Sequence, residues 1–157
     1  MRPLSPRRAV RGFTAVELMI VVVIVAILTA MAGPWMGQMV RTQRLRTASF
    51  DVLASLQHAR SEAIKRNLSV TMAPVGADWS TGWTITDPNG HVLKRQNAID
   101  TTSITGPATV VFNGTGRLNA AVAAFSLVSD VGAGQGVKHR CVTVDLSGRA
   151  VSKEAAC

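Results

Sequence analysis

Arg11-Gly12-Phe13-Thr14-Ala15-Val16-Glu17-Leu18 runs straight into Met19-Ile20-Val21-Val22-Val23-Ile24-Val25-Ala26-Ile27-Leu28, and this stretch decides what kind of chain follows. From Leu18 to Val40 no residue is charged. As a helix rising about 1.5 Å per residue, that run reaches roughly 35 Å, enough to cross the hydrocarbon core of a bilayer. Valine and isoleucine dominate it, and both make a mediocre helix in water. In lipid the helix satisfies its own backbone and the handicap shrinks.

Upstream of the run, Arg2, Arg7, Arg8 and Arg11 crowd into the first 11 residues. They account for much of the formal charge of +8; without them the balance is 13 basic against 9 acidic residues, or +4. The basic character therefore belongs largely to a targeting segment and is a poor argument for nucleic-acid binding. Positive charge before the run keeps the N-terminus cytoplasmic and sends the C-terminal part across the membrane. Arg41, Arg44 and Arg46 on the far flank weaken this asymmetry without reversing it. Two ordinary readings compete here, an uncleaved signal anchor and a secretory signal peptide cut after Ala30-Met31-Ala32, and composition excludes neither.

Glu17 weighs between them. A carboxylate at the head of an apolar helix is expensive and normally needs a partner. Basic residues, a glycine, a phenylalanine, a glutamate four positions on and a long apolar helix together resemble a type III, or prepilin, leader. The resemblance implies that a prepilin peptidase cuts between Gly12 and Phe13 and that the new Phe13 amine is methylated. It also implies that Glu17 serves subunit entry and register in a filament. The physics agrees: the new ammonium lies one helical turn from Glu17, within reach of its own or a neighbour's carboxylate. Pro34 is expected to kink the helix, because it removes a backbone donor.

Beyond Arg41 the pattern becomes amphipathic. Leu45, Ala48, Val52, Leu56, Ala59 and Ala63 recur at three- and four-residue steps and predict a stripe packed on a sheet. Arg44, Arg46, Asp51, Arg60, Glu62, Lys65 and Arg66 are expected to make the solvated faces. Asn67, after two basic residues that suit the helix dipole, marks the stop.

Leu56-Gln-His-Ala-Arg-Ser-Glu-Ala-Ile-Lys-Arg-Asn67, then Val70 and Gly82-Trp83, resembles the GspH/FimT family of minor pseudopilins. That family shares a helix ending in an Ala-Arg-Ser-Glu-Ala run, a strand and a Gly-Trp pair. The chain is thus expected to be α+β: a leader at 1–12, a transmembrane helix at 13–40, its amphipathic continuation at 41–67, and an antiparallel β-rich periplasmic head at 68–157.

Within the head, strands are expected at 68–73, 83–86, 91–95, 109–112, 121–128, 139–145 and 149–152. Asp87-Pro88-Asn89-Gly90, Asn113-Gly114-Thr115-Gly116 and Ser147-Gly148 read as turns, and 132–136 as a flexible loop. Trp79 and Trp83 read as packing residues. Cys141 and Cys157 are the only cysteines. They read as a disulfide if the head is exported, closing a loop worth about 3 kcal/mol; in a cytoplasmic chain they would be free thiols.

No catalytic constellation is legible, and neither a cofactor nor a metal is implied. His58, His91 and His139 read as surface residues without a carboxylate or cysteine at metal or triad spacing. Gly114-x-Gly116 is a turn fragment and not a dinucleotide fingerprint.

Some FimT-like members capture DNA through a C-terminal Gly-Arg-x-Arg hairpin motif; here the matching place reads Gly148-Arg149-Ala150-Val151, with valine for the second arginine. Lys138, Arg140 and Lys153 would compensate only if the last hairpin gathers them on one side; otherwise they are scattered solubilising charges, the favoured reading. The expected function is a structural filament subunit, at the tip of a secretion pseudopilus or type IV pilus. Its expected partners are other pilins, the peptidase and the inner membrane; DNA capture is the alternative.

Overall fold

The computed structural model describes residues 12–129 and 138–157, apart from the side chains of 31–36 and 38. The basic leader positions, the 132–136 loop and the side chain of Pro34 lie outside the described residues. Helix α1, Ala15–Arg66, is 52 residues long and runs through position 34. The chain divides into two compact units, Met1–Gln38 and Met39–Cys157.

In the first unit every described large apolar side chain from Val16 to Leu28 is exposed, between 47% and 69% of its surface. Among the described residues no helix is long and apolar enough to cross a membrane. The described apolar part of α1 ends at Ala30, where the positions without described side chains begin.

The second unit is built on the amphipathic stripe. Leu45, Ala48, Val52, Leu56, Ala59 and Ala63 are each at most 1% exposed, as the 3.6-residue period predicts. Ser49 and Ser55 are buried beside them. Ser49 Oγ is satisfied by donating to the Arg46 carbonyl at 2.8 Å.

The helix ends where Asn67 takes a left-handed conformation, φ 52°. Asn67 N–H donates to the Ile64 carbonyl and Leu68 N–H to the Ala63 carbonyl, both at 3.2 Å. This double closure satisfies carbonyls that a helix end otherwise leaves open.

Around the stripe lie two antiparallel four-stranded sheets, where the sequence suggested one. The first has the order β3-β2-β1-β5, with β1 Val70–Pro74, β2 Trp83–Thr86, β3 Val92–Gln96 and β5 Val110–Phe112. The second has the order β4-β6-β7-β8, with β4 Thr102–Thr105, β6 Phe125–Ser129, β7 His139–Val144 and β8 Ala150–Lys153. Alternate residues, Val70 and Met72, Ile104, Phe125 and Leu127, and Val142 and Val144, turn inward onto the core.

Strand β4 was not expected. Strand pairing starts only at Phe125 and not at Ala121, because 121–124 has no ladder partner among the described residues. Trp79 and Trp83 are buried, as expected of packing residues. Trp79 stands edge-on to Phe125, ring centroids 4.8 Å apart, and its indole N–H donates to the Pro107 carbonyl at 2.8 Å.

Three hairpin turns share one construction. Asp87, Asn113 and Asp145 each open a turn whose fourth residue is a glycine at positive φ: Gly90 at 84°, Gly116 at 76° and Gly148 at 81°. In each, an Oδ1 of the opening residue accepts the N–H four positions on, from His91 at 2.9 Å, Arg117 at 3.1 Å and Arg149 at 3.0 Å. The side chain thereby does the work of a backbone acceptor.

Candidate assembly surfaces

At the N-terminus, Gly12, Phe13 and Thr14 precede the helix, and Phe13 is 73% exposed. Thr14 Oγ1 accepts the Glu17 N–H at 3.3 Å. Thr14-x-x-Glu17 is a capping-box pattern that was legible in the sequence and not read there. Glu17 in the first turn also suits the positive end of the helix dipole. The Gly12–Phe13 bond thus lies outside the helix, and Glu17 is set by a cap.

Of the charged residues expected on the solvated faces of α1, Arg44, Arg46, Lys65 and Arg66 are exposed, but an uncharged face stands beside them. Opposite the buried stripe, Thr47, Phe50, Ala54, Gln57, Ser61 and Ile64 recur at three- and four-residue steps, all exposed and none charged. Phe50 and Ile64 keep 52% and 51% of their surface in solvent.

Arg60 is half-buried, and its Nε is enclosed with no hydrogen-bond partner among the described residues. It lies against Gly116 and Gly148, the two turns that meet beside the last turns of α1. Glu62 pairs with Arg66 at 2.7 Å and Lys65 at 3.7 Å. The Arg66 hydrogen bond, against a smaller effect of burial, holds its carboxyl below the ordinary range.

The last hairpin does not gather its four basic residues. Arg140 pairs across β6 with Leu127, on the core side of the sheet, and its guanidinium is held by Glu154 at 3.2 Å and Ser49 Oγ at 3.4 Å. Lys138 shares Glu154 at 3.7 Å. Lys153 pairs with Cys141 on the opposite face and is exposed, as is Arg149. Cys141 and Cys157 form a disulfide, which ties the tail carrying Glu154 to β7.

Arg149 closes a rigid turn. Asp145 accepts the Ser147 hydroxyl at 2.5 Å as well as the Arg149 N–H, and these bonds hold its carboxyl below the usual range.

Of the histidines, His91 is exposed while His58 and His139 are half-buried. His91 also has a carboxylate neighbour that the sequence reading missed: its Nδ1 lies 3.0 Å from Asp87 Oδ2, reached across the turn. Burial pushes Asp87 up, but the His91 side chain and the His91 and Asn89 N–H groups outweigh it and leave it lowered. Among the described residues no cluster could hold a metal ion.

A groove runs along the other flank of the head helix. Val40, Ala48 and Ile99 form apolar walls, and Asp51, Asp100 and Arg44 stand around it. Arg44 is tied to Thr101 Oγ1 at 3.4 Å. Burial pushes the Asp51 carboxyl up, partly offset by the Lys94 charge.

The family model for the type II transport protein GspH matches residues 48–148, most of the head. The chain belongs to the GspH family. A second model, the prokaryotic N-terminal methylation motif, matches residues 7–33. None of the curated proteins matches this GspH-family chain.

Two crystal structures of the type IV minor pilin FimU from Pseudomonas aeruginosa PAO1 share its fold. One, at 21% identity and a TM-score of 0.61, covers 71% of this chain and 90% of its own. The other, at 19% and 0.58, covers 69% and 91%. The GspH-family chain is therefore α+β and pilin-like, a helix packed on small antiparallel sheets.

Proposed function

We propose that the chain is a minor pseudopilin or minor pilin, a structural subunit at the tip of a type II secretion pseudopilus or type IV pilus. A prepilin peptidase cuts between Gly12 and Phe13, the Phe13 amine is methylated, and residues 13–40 anchor the subunit in the inner membrane with its head in the periplasm. Pro34 kinks the anchor so that it can pack among neighbouring helices. Glu17, set by the Thr14 cap, receives an N-terminal ammonium as the subunit joins the filament.

One observation carries this reading: besides a head with a closed core, the chain has an apolar helix segment whose described large side chains from Val16 to Leu28 are all exposed. Such a segment demands lipid or other helices around it. The uncharged outer stripe from Thr47 to Ile64 extends the same demand into the head.

The test is co-purification with filaments sheared from the cell surface. The chain should be present, and Glu17→Gln should remove it while leaving it in the membrane; unchanged incorporation of Glu17→Gln would sink the role given to that carboxylate.

DNA capture through Arg149, with Lys153 on the same outer face, is the second reading. It is weakened because Lys138 and Arg140 are both engaged by Glu154, whose carboxylate offsets one of their two charges. Salt-sensitive DNA binding by the chain that Arg149→Ala abolishes would favour it.

A further inference from the structure

We propose that Arg60, Arg117 and Arg149 form a docking site for an acidic segment of a different filament subunit, one that presents carboxylates beside an apolar side chain. The contact rests on the filament-subunit reading above and names one partner within it.

Three elements converge to build the site. The 113–116 and 145–148 turns touch: Gly148 lies against the Gly116 carbonyl oxygen, and Leu118 N–H donates to the Leu146 carbonyl at 3.2 Å. In each turn a buried glycine is followed by an exposed arginine, Arg117 in one and Arg149 in the other. Arg60, from the last turns of α1, lies against both glycines.

These cations are unspent. None of the three forms an ion pair among the described residues, and the enclosed Arg60 Nε has no hydrogen-bond partner there. The carboxylates on the same three elements are Glu62 and Asp145. Glu62 is held by Arg66 and Lys65, and Asp145 accepts the Ser147 hydroxyl and the Arg149 N–H inside its own turn. The Arg149 charge acts on Asp145 at longer range, so Asp145 offsets one cation and leaves the cluster positive. An enclosed guanidinium nitrogen is costly to leave unsatisfied, and a carboxylate supplies acceptors in the geometry that arginine prefers.

The apolar part of the site decides what it takes. Leu146, 50% exposed, stands on the second turn, and Ile64, 51% exposed, lies against Gly116. A nucleic-acid backbone gains nothing from them, and 60–66, 113–118 and 145–149 contain no aromatic residue for a base to stack on. A protein surface uses both, since interfaces favour arginine set among apolar side chains. A second copy is disfavoured because, without the leader, it brings the same excess of 13 basic over 9 acidic residues. The Asp145 bonds already hold the turn, so docking orders little that was free.

The test uses the full chain in filaments sheared from the cell, with Arg117→Lys and, separately, Arg149→Lys supplying an amine. A carbodiimide condenses an amine with a carboxylate in contact and takes up the lost water as a urea. Mass spectrometry of the joined peptides should place position 117 or 149 on an aspartate or glutamate of another subunit. In the Arg117→Lys chain, Arg149→Glu should lower the yield about threefold to fivefold and Leu146→Ser should lower it too, each with Tm unchanged. Arg95→Glu, at an exposed position on the edge strand β3, should leave the yield as it was.

A chain present in filaments but joined at neither position overturns the contact and leaves the subunit reading intact; a chain absent from filaments overturns both. Joining to a copy of this chain overturns the contact, as does a yield indifferent to Arg149→Glu or to Leu146→Ser. Salt-sensitive binding of duplex DNA that Arg117→Glu abolishes would also overturn it, by assigning the cluster to phosphate.

Discussion

Gly148 and Gly90 have nearly the same backbone conformation, φ 81° and 84°, in turns of the same construction, but their surroundings differ. A Cβ on Gly90 would meet nothing within 4 Å among the described residues, whereas one on Gly148 would stand 2.1 Å from the Gly116 carbonyl oxygen. Replacing either by alanine incurs the left-handed penalty, about 1–2 kcal/mol. Only Gly148→Ala must also push two backbone turns apart, adding about 1–3 kcal/mol as overpacking typically does.

Thermal unfolding of the two variants, as full chains in detergent, therefore reads the packing of the two turns directly. For a head of this size each kcal/mol lowers Tm by roughly 3–6 °C. Gly90→Ala should fall by several degrees and Gly148→Ala by about twice as much. Equal shifts would refute the contact between the 113–116 and 145–148 turns, and with it the rigid placement of Leu146 and Arg149.

Three further outcomes follow from the same structure. Leu56→Ala, at a fully buried position, should cost about 2–5 kcal/mol in urea unfolding, whereas Phe50→Ala on the outer stripe should stay within about 0.5 kcal/mol. Reducing the Cys141–Cys157 disulfide, whose partners lie 16 residues apart, should lower stability by about 3 kcal/mol; an unchanged midpoint after complete reduction would show that the tail is held by other contacts.

Asp145 is held below the ordinary carboxylate range, so it stabilises the head above about pH 4 and loses that contribution as pH falls through its lower folded value. Asp145→Asn keeps the acceptor that Asn113 supplies in the sister turn and should flatten the acid limb of the urea midpoint. An identical acid limb in both proteins would refute the assignment. Asp51, pushed up by burial, acts with the opposite sign.

The parts of this fold that were legible in the sequence are those set by short-range pattern. Six residues at helical spacing, Leu45 to Ala63, declared the buried face because a helix repeats every 3.6 residues whatever packs on it. Asn67 and the three turns declared themselves through residues that tolerate left-handed backbone. Strand β4 was hidden because Thr101-Thr102-Ser103-Ile104-Thr105 offers one aliphatic residue among hydroxyls, and its strand character comes from pairing with β6. The division into two sheets was illegible for the same reason, since it depends on which distant strand each segment meets.

The candidate surfaces divided in the same way. The N-terminal motif is contiguous and could be read, together with its implied cleavage and methylation. Arg60, Arg117 and the groove beside Asp51 and Asp100 could not be found, because they are assembled from separate elements. The four basic residues of the last hairpin read in sequence as scattered charges in preference to one patch, and the strand register sets Arg140 on the core side and Lys153 outside.

The central claim, a prepilin processed and built into a filament, is tested most directly by the N-terminal mass of the chain isolated from membranes. A mature chain beginning at Phe13 and carrying one methyl group on its amine is the predicted result. An intact leader, or a chain beginning near Gly33, would contradict it.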